Sequence, residues 1–100
     1  MNRIAIAYIT NPNKKTAEKI AREILKKGLA SCANIFPIES IYIWEGRPVK
    51  NKEWALLLKT TKTKIEKLQK YAESIHPYRI PCVLHLEARA NMKFYKWINE

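Results

Sequence analysis

The order of the apolar runs is the feature that most restricts how this chain can fold. Two stretches with helix-like spacing of apolar residues are each preceded and followed by short runs rich in β-branched residues. A turn sequence separates the two halves. The predicted order is therefore strand–helix–strand, a hairpin, and strand–helix–strand. Rules for connecting strands leave few topologies for such an order.

The first half contains the most regular helix pattern. Residues 4–9 predict a strand that is apolar on both faces. Asn11 and Pro12 predict a helix start, with the asparagine as cap and the proline at the first helical position. Gly28 predicts a left-handed end to this helix. The apolar stripe between them consists of Ala17, Ile20, Ala21, Ile24 and Leu25.

A hairpin joins the two halves. Residues 29–36 and 38–44 predict strand segments separated by a break or bend at Pro37. Turn residues at 45–48 and the apolar run at 54–58 predict a returning strand.

The second half repeats the pattern of the first. Thr63 and Glu66 predict a capping box at the start of the second helix, whose apolar stripe continues to the stop before Pro77. Residues 80–88 predict the last strand, and Asn91 is expected to cap a short helix over 92–98. The leading topology is one α+β domain over residues 1–100, a ferredoxin-like βαββαβ sandwich with a long β-hairpin and a short C-terminal helix.

One face of this predicted sheet lacks helices and would normally be polar. The strands at 4–9, 41–44 and 54–58 instead carry apolar or aromatic residues at successive positions. An exposed apolar face of this kind drives association. The sequence therefore predicts an oligomer, in which the C-terminal helix covers part of the face.

The composition excludes several catalytic classes. With two glycines in the whole chain, glycine-rich phosphate loops cannot be built. Aspartate is absent, which removes EF-hand loops, kinase catalytic loops and Ser-His-Asp triads in their usual forms. No serine lies in a nucleophile motif, and no spacing singles out two glutamates for acid–base catalysis. We therefore expect a protein that is not an enzyme.

The charge and the cysteines bear on partners and compartment. The net charge is +10, but glutamates interleave with the basic residues of both predicted helices. That pattern is typical of solvated helix faces, so nucleic acid is not expected as a partner. No run approaches the ~20 apolar residues of a membrane span. Cys32 and Cys82 lie far apart without a CxxC motif, which favours a cytoplasmic protein with reduced thiols. Abundant Lys, Ile and Glu predict a thermostable chain.

Several segments together resemble the divalent-cation-tolerance family CutA. They are residues 29–35 (LASCANI), 40–46 (SIYIWEG), Glu53 with Lys59-Thr60, 76–81 (HPYRIP) and 95–98 (YKWI). The resemblance covers nearly the whole chain in the right order and spacing. It implies a ferredoxin-like fold assembled as a homotrimer, similar in architecture to PII signalling proteins, with hairpin arms paired between subunits. It also implies a role in tolerance of copper and other divalent metals.

The sequence departs from the family pattern at three places. Cys82 stands where the family usually has Glu, Asn91-Met92 stands where Gly is frequent, and the usually acidic hairpin tip is basic at 50–52. The first two weaken the expectation of a site built from that glutamate.

The resemblance implies an inter-subunit cleft for a divalent metal, such as copper, or for a small anionic ligand; no cofactor is expected to be obligatory. His76 is the candidate metal ligand, and the alternative is that its ring bonds a backbone carbonyl at the helix end. For the aromatic residues the alternative is packing at an interface. The candidate cleft and interface residues are Cys32, Asn34, Tyr42, Trp44, Glu53, Lys59, His76, Tyr78, Tyr95 and Trp97.

Three other interpretations start from the same residues. Cys32, Cys82, His76 and His85 have no ligand spacing between them, so tight stoichiometric zinc binding is not expected, and His85 is expected in the core or an interface. A ferredoxin-like RNA-binding module is favoured by fold and charge, but the run at 54–59 lacks the required aromatic motif. An acyl-phosphate hydrolase would need an arginine in a glycine-flanked loop after the first strand, which is absent.

Overall fold

The observed elements follow the predicted order. A computed structural model describes residues 1–100, and its four strands form one sheet in the order β2-β3-β1-β4, with every neighbouring pair antiparallel. This order confirms the ferredoxin-like prediction. The elements are β1 (Arg3–Asn11), α1 (Lys14–Lys26), β2 (Cys32–Trp44), β3 (Arg47–Thr60), α2 (Ile65–Ile75), β4 (Val83–Arg89) and α3 (Met92–Ile98).

The main core lies between the sheet and the two long helices. Residues at every second position of β1 and β3 face α1 and α2, and register pairs Ala7 with Leu58 and Ile9 with Leu56. The predicted stripe of α1 is buried except for Leu25, which is 38% exposed. Burial of apolar surface on this face is the main stabilising term of the chain. The helical residues of the core are Ala17, Ile20, Ala21, Ile24, Ile65, Leu68 and Ala72.

Helix α1 begins two residues later than predicted. Asn13 is its cap, and the Asn13 Oδ1 accepts a hydrogen bond from the Thr16 N–H at 2.8 Å. Asn11, the predicted cap, is the last residue of β1, where it pairs with Trp54 and its Nδ2 donates to the Trp54 carbonyl at 3.2 Å. The Asn11 prediction is wrong because strand pairing extends past the apolar run. Gly28 has φ +71°, which confirms the left-handed helix end.

The other two helix starts also differ from their predicted caps. Helix α2 starts after Lys64 with no side-chain cap, and the Thr63 hydroxyl is instead 3.0 Å from the Thr61 hydroxyl. The capping-box prediction is therefore wrong. Asn91 is at the cap position of α3 as predicted, but its side chain makes no cap hydrogen bond.

The hairpin is longer and more continuous than predicted. Strand β2 runs unbroken through Pro37, which is opposite Trp54, and β3 begins at Arg47. An edge strand tolerates a residue without an N–H, so the predicted break at Pro37 is wrong. The turn consists of Glu45 and Gly46, at φ +50° and +79°, the positive values that a two-residue type I′ turn requires.

The open face, defined as the sheet face opposite α1 and α2, is only partly covered. Helix α3 packs on it, since the Lys59 Nζ lies 5.5 Å from the Phe94 ring centroid, and Ile4 and Ile98 are buried. Large apolar side chains remain exposed beyond α3. They include Phe36, Leu84 and Leu86, which are 39%, 45% and 49% exposed. None of the three helices has the length and apolar character needed to cross a bilayer.

Candidate functional site

A cavity lies where the hairpin leaves the body of the domain. It has a volume of about 530 Å³ and is bounded by the hairpin and by the segment that follows α2. Four of the candidate residues line this cavity, namely Tyr42, Trp44, Glu53 and Tyr78. We call this cavity the hairpin cavity.

The hairpin supplies one wall through strand alternation. Ser40 and Tyr42 on β2 are opposite Asn51 and Val49 on β3, so the four side chains share one face. The Asn51 Nδ2 donates a hydrogen bond to the Tyr42 hydroxyl oxygen at 2.6 Å. Asn51 was not among the predicted site residues, although its register with Ser40 and Tyr42 could have indicated it.

The segment after α2 supplies the other wall. It contributes Tyr78, Arg79, Ile80 and Cys82, of which only Tyr78 was predicted. The Arg79 guanidinium lies 5.9 Å from the centroid of the Trp44 ring, within cation–π distance. No sequence signal links Arg79 to Trp44, because only the fold brings this loop to the hairpin.

Glu53 is the polar centre of the hairpin cavity. It is 7% exposed, and its Oε2 accepts a hydrogen bond from the Tyr78 hydroxyl at 2.7 Å. No basic side chain lies within ion-pair distance of Glu53; the three ion pairs of the chain involve Glu39 and Glu87. The carboxylate is therefore held by a neutral donor alone.

The neighbours of Glu53 keep their protons at neutral pH. Burial raises the pKa of the Tyr78 hydroxyl, and the hydrogen bond to Glu53 raises it further. Burial likewise raises the pKa of the Cys82 thiol, with the charge of Glu53 adding to the effect and a hydrogen bond with Thr10 opposing it. Tyr78 is therefore a donor to Glu53, and Cys82 is a poor source of thiolate for a metal.

His76 uses both ring nitrogens within the chain. The Tyr78 N–H donates to the His76 Nδ1 at 3.1 Å, so the ring proton is on Nε2, which donates to the Thr10 carbonyl at 2.8 Å. These contacts correspond to the alternative role of bonding a backbone carbonyl. They leave His76 no lone pair for a metal while both bonds are kept.

The remaining candidates lie outside the hairpin cavity. Cys32, Asn34 and Lys59 lie on the open face, with the Cys32 Sγ 4.0 Å from the Asn34 Oδ1 and the Lys59 Nζ over the Phe94 ring of α3. Tyr95 and Trp97 are in α3, where Trp97 packs against Phe94 with ring centroids 5.6 Å apart. Four of the ten candidates thus line the hairpin cavity, His76 lies beside it through its bond with the Tyr78 N–H, and the other five lie elsewhere.

No metal site is assembled within one chain. No three His, Cys, Asp or Glu side chains lie close enough together to hold a metal ion. His85 is exposed on β4 rather than in the core of the chain, and its Nδ1 is 2.8 Å from the Gln69 Oε1.

Known proteins with similar sequences share one family description. Residues 5–100 match the family described as CutA1 divalent ion tolerance protein. The divalent-cation tolerance protein CutA of Archaeoglobus fulgidus is 38% identical over 94 residues, which are 93% of this chain and 92% of that protein. The protein of the same name from Thermotoga maritima is 38% identical over 96 residues, 95% of both chains.

Solved structures agree with this match. The crystal structure of divalent ion tolerance protein CutA1 from Ehrlichia chaffeensis superposes with a TM-score of 0.92 at 37% identity, covering 99% of this chain and 94% of that one. The structure described as the periplasmic divalent cation tolerance protein CutA from Archaeoglobus fulgidus gives a TM-score of 0.91 at 37% identity, covering 97% and 95%.

Proposed function

Because the chain belongs to the CutA1 divalent ion tolerance family, we propose that it acts in divalent-cation tolerance as a non-enzymatic homotrimer, in which a PII-like arrangement of subunits binds a ligand. The observation that carries this proposal is the exposed apolar surface of the open face and the hairpin. Among residues 1–100, α3 is the only element that packs on the open face, and it leaves this surface exposed.

The hairpin strengthens the case for self-association. Ile41 and Ile43 on one of its faces are 74% and 70% exposed, and Tyr42 and Trp44 on the other are 37% and 42% exposed. An arm that is apolar on both faces and reaches beyond the core is suited to packing between other subunits. We propose a trimer because the resemblance implies that assembly, and paired arms in a trimer would bury both the arm and the open face.

Copper is the metal we propose for the tolerance role. Cys32 is a free thiol outside the hairpin cavity, and soft sulfur ligands suit copper in its reduced form. The residues of one chain do not form a metal site, so a copper site would need ligands from more than one subunit. The proposed compartment is the cytoplasm, where such thiols remain reduced.

RNA binding has less support from the geometry. The open face of the two central strands, β1 and β3, carries Tyr8 beside Ile6, Leu57 and Lys59. RNA-binding sheets of this topology present several stacking aromatics on these strands.

Light scattering after size exclusion tests the assembly. A mass near three times 11.7 kDa is expected for the wild type. Leu84→Glu places a charge on the open face and should reduce the mass to that of one chain. Leu25→Glu is the matched control, since Leu25 is similarly exposed but lies on α1. A wild-type monomer, or a trimer insensitive to Leu84→Glu, contradicts the proposed interface.

A copper titration tests the metal role. Calorimetry with Cu⁺ under reducing conditions should show stoichiometric binding that is lost in Cys32→Ser and retained in Cys82→Ser, the matched control. Binding retained by Cys32→Ser contradicts the thiol ligand. If the wild-type trimer binds no copper, the metal part of the proposal fails and the assembly stands.

A further inference from the structure

Glu53 combines burial with an unused acceptor. Tyr78 occupies its Oε2, while its Oε1 makes no hydrogen bond in the chain and is not sealed off from the hairpin cavity. In a chain of net charge +10, no lysine or arginine is paired with this side chain. A nearly buried carboxylate in this position has capacity for one more donor, and a charged donor gives the stronger bond.

The hairpin cavity is elongated, with Glu53 at one end. Glu53 is opposite Ile38, whereas Trp44 is opposite Arg47, and Arg47 and Glu53 are six positions apart on β3. At ~3.3 Å per residue these ends are roughly 20 Å apart. Tyr42 lies between them on the same face, and the cavity volume of about 530 Å³ is in the range that holds small organic molecules.

The walls suit a positively charged ligand. Aromatic faces attract cations through the ring quadrupole. Arg79, a cation in the wall itself, already lies over the Trp44 ring at 5.9 Å, so the position open to a ligand cation is at the opposite end, beside Glu53. A carboxylate enclosed by aromatic side chains is the combination that recognises organic ammonium groups. A small anion, expected from the resemblance, would be repelled at the Glu53 end of the hairpin cavity.

A divalent metal ion fits the hairpin cavity less well. Such ions take several anionic or oxygen ligands, and Glu53 is the only carboxylate that lines it. The Cys82 thiol in the same wall is protonated at neutral pH because burial raises its pKa.

We propose that the hairpin cavity binds a small organic cation whose ammonium group donates to the free oxygen of Glu53 and whose apolar body lies along Tyr78 and Tyr42 toward Trp44. This inference deepens the proposed function and rests on it, because it names the ligand class of the proposed module.

Calorimetry with three matched probes tests the inference. Phenethylamine is the cation, 2-phenylethanol is its neutral counterpart, and 3-phenylpropanoate is the anion. Phenethylamine should bind about tenfold or more tightly than the alcohol, since a hydrogen bond between charged groups is worth that factor, and the anion should bind weakest.

Variants assign the charge preference to Glu53. Glu53→Gln keeps an acceptor for Tyr78 and should remove the preference for the amine. Glu39→Gln is the matched control, because Glu39 is an exposed glutamate on the same hairpin, outside the hairpin cavity.

Light scattering on each titrated sample separates this inference from the proposed assembly. A trimer that binds the amine and alcohol equally, or whose amine binding survives Glu53→Gln, overturns the inference and leaves the trimer intact. A trimer that binds no amine and dissociates on Glu53→Gln also overturns it, since a basic side chain of a neighbouring subunit would then fill the hairpin cavity.

Discussion

The two faces of the sheet are both apolar, but only one is completed by the chain itself. On the face under α1 and α2, Leu56 and Leu58 are fully buried. On the open face, Leu57 between them is half-buried, and Leu84 and Leu86 are close to half exposed. The same strands therefore have a buried core on one face and a partly exposed apolar surface on the other.

The residues of the covered face stabilise the fold of a single chain, whereas those of the open face and the hairpin are available to contact other molecules. The covered face has a helix stripe opposite every strand residue, so its burial is internal. The open face and the hairpin hold the apolar surface and the cavity from which the function is proposed. Substitutions on the covered face should change stability alone, whereas those on the open face should also change association or binding.

Substitution of two adjacent leucines of β3 should have the largest effect on the free energy of unfolding. Leu58→Ala should lower the free energy of unfolding by about 2–5 kcal/mol at any protein concentration, because it leaves a cavity in a packed core. Leu57→Ala should cost less in a dissociated chain, and its cost should grow with protein concentration if subunits cover the open face. Urea denaturation at two concentrations measures both.

If the two variants lose the same unfolding free energy at every protein concentration, the proposed difference between the two faces of the sheet is wrong. That result would mean that the open face is covered within one chain.

The fold was largely predictable from the sequence, because apolar periodicity reports which face of each element is buried. The stripe of α1 and the order of strands follow from it directly. The ends of elements were less predictable, since pairing with a distant strand decides them. Asn11 is in a strand because Trp54 is opposite it, and Pro37 is tolerated because β2 is an edge strand.

The candidate site was predictable only in part. Strand alternation was sufficient to place Tyr42 and Trp44 on one face of the hairpin, and the resemblance indicated Glu53 and Tyr78. Arg79 and Cys82 join the hairpin cavity through the path of the loop after α2, which no local pattern encodes. The role of His76 likewise depends on Thr10, 66 residues away in sequence.

The hydrogen bond between Tyr78 and Glu53 gives the second largest effect. Tyr78→Phe leaves a nearly buried carboxylate without its donor and should cost about 1–3 kcal/mol in unfolding free energy. Tyr42→Phe is the matched control, because it removes an exposed hydrogen bond to Asn51 and should cost less. Thermal denaturation compares the two, and equal costs would contradict the importance assigned to Glu53.

A substitution in the hairpin turn should have a smaller effect, and it should raise the free energy of unfolding rather than lower it. Glu45 has φ +50°, which most residues with a side chain adopt at a cost, whereas asparagine tolerates it. Glu45→Asn should raise the unfolding free energy by up to about 1 kcal/mol, with Glu45→Ala as a control that brings no such gain. A stability gain without a change in mass would show that the turn acts through folding rather than association.

The smallest effect is expected at strand β4, where Glu87 faces the helix side and Leu86 the open side. The hydrogen bond and charge of Lys62 lower the pKa of Glu87 below its ordinary value of 4.5, with a smaller contribution from Arg3. A carboxyl whose pKa is lowered by folding stabilises the folded chain at any pH above its ordinary pKa, and this contribution is lost as the pH falls through the lowered pKa.

Thermal midpoints at pH 6 and pH 3 should therefore differ slightly more in the wild type than in Lys62→Met. Lys64→Met, which forms no ion pair, should match the wild type. If all three proteins lose the same stability in acid, this exposed pair contributes nothing, and stability on the helix side of β4 comes from packing alone.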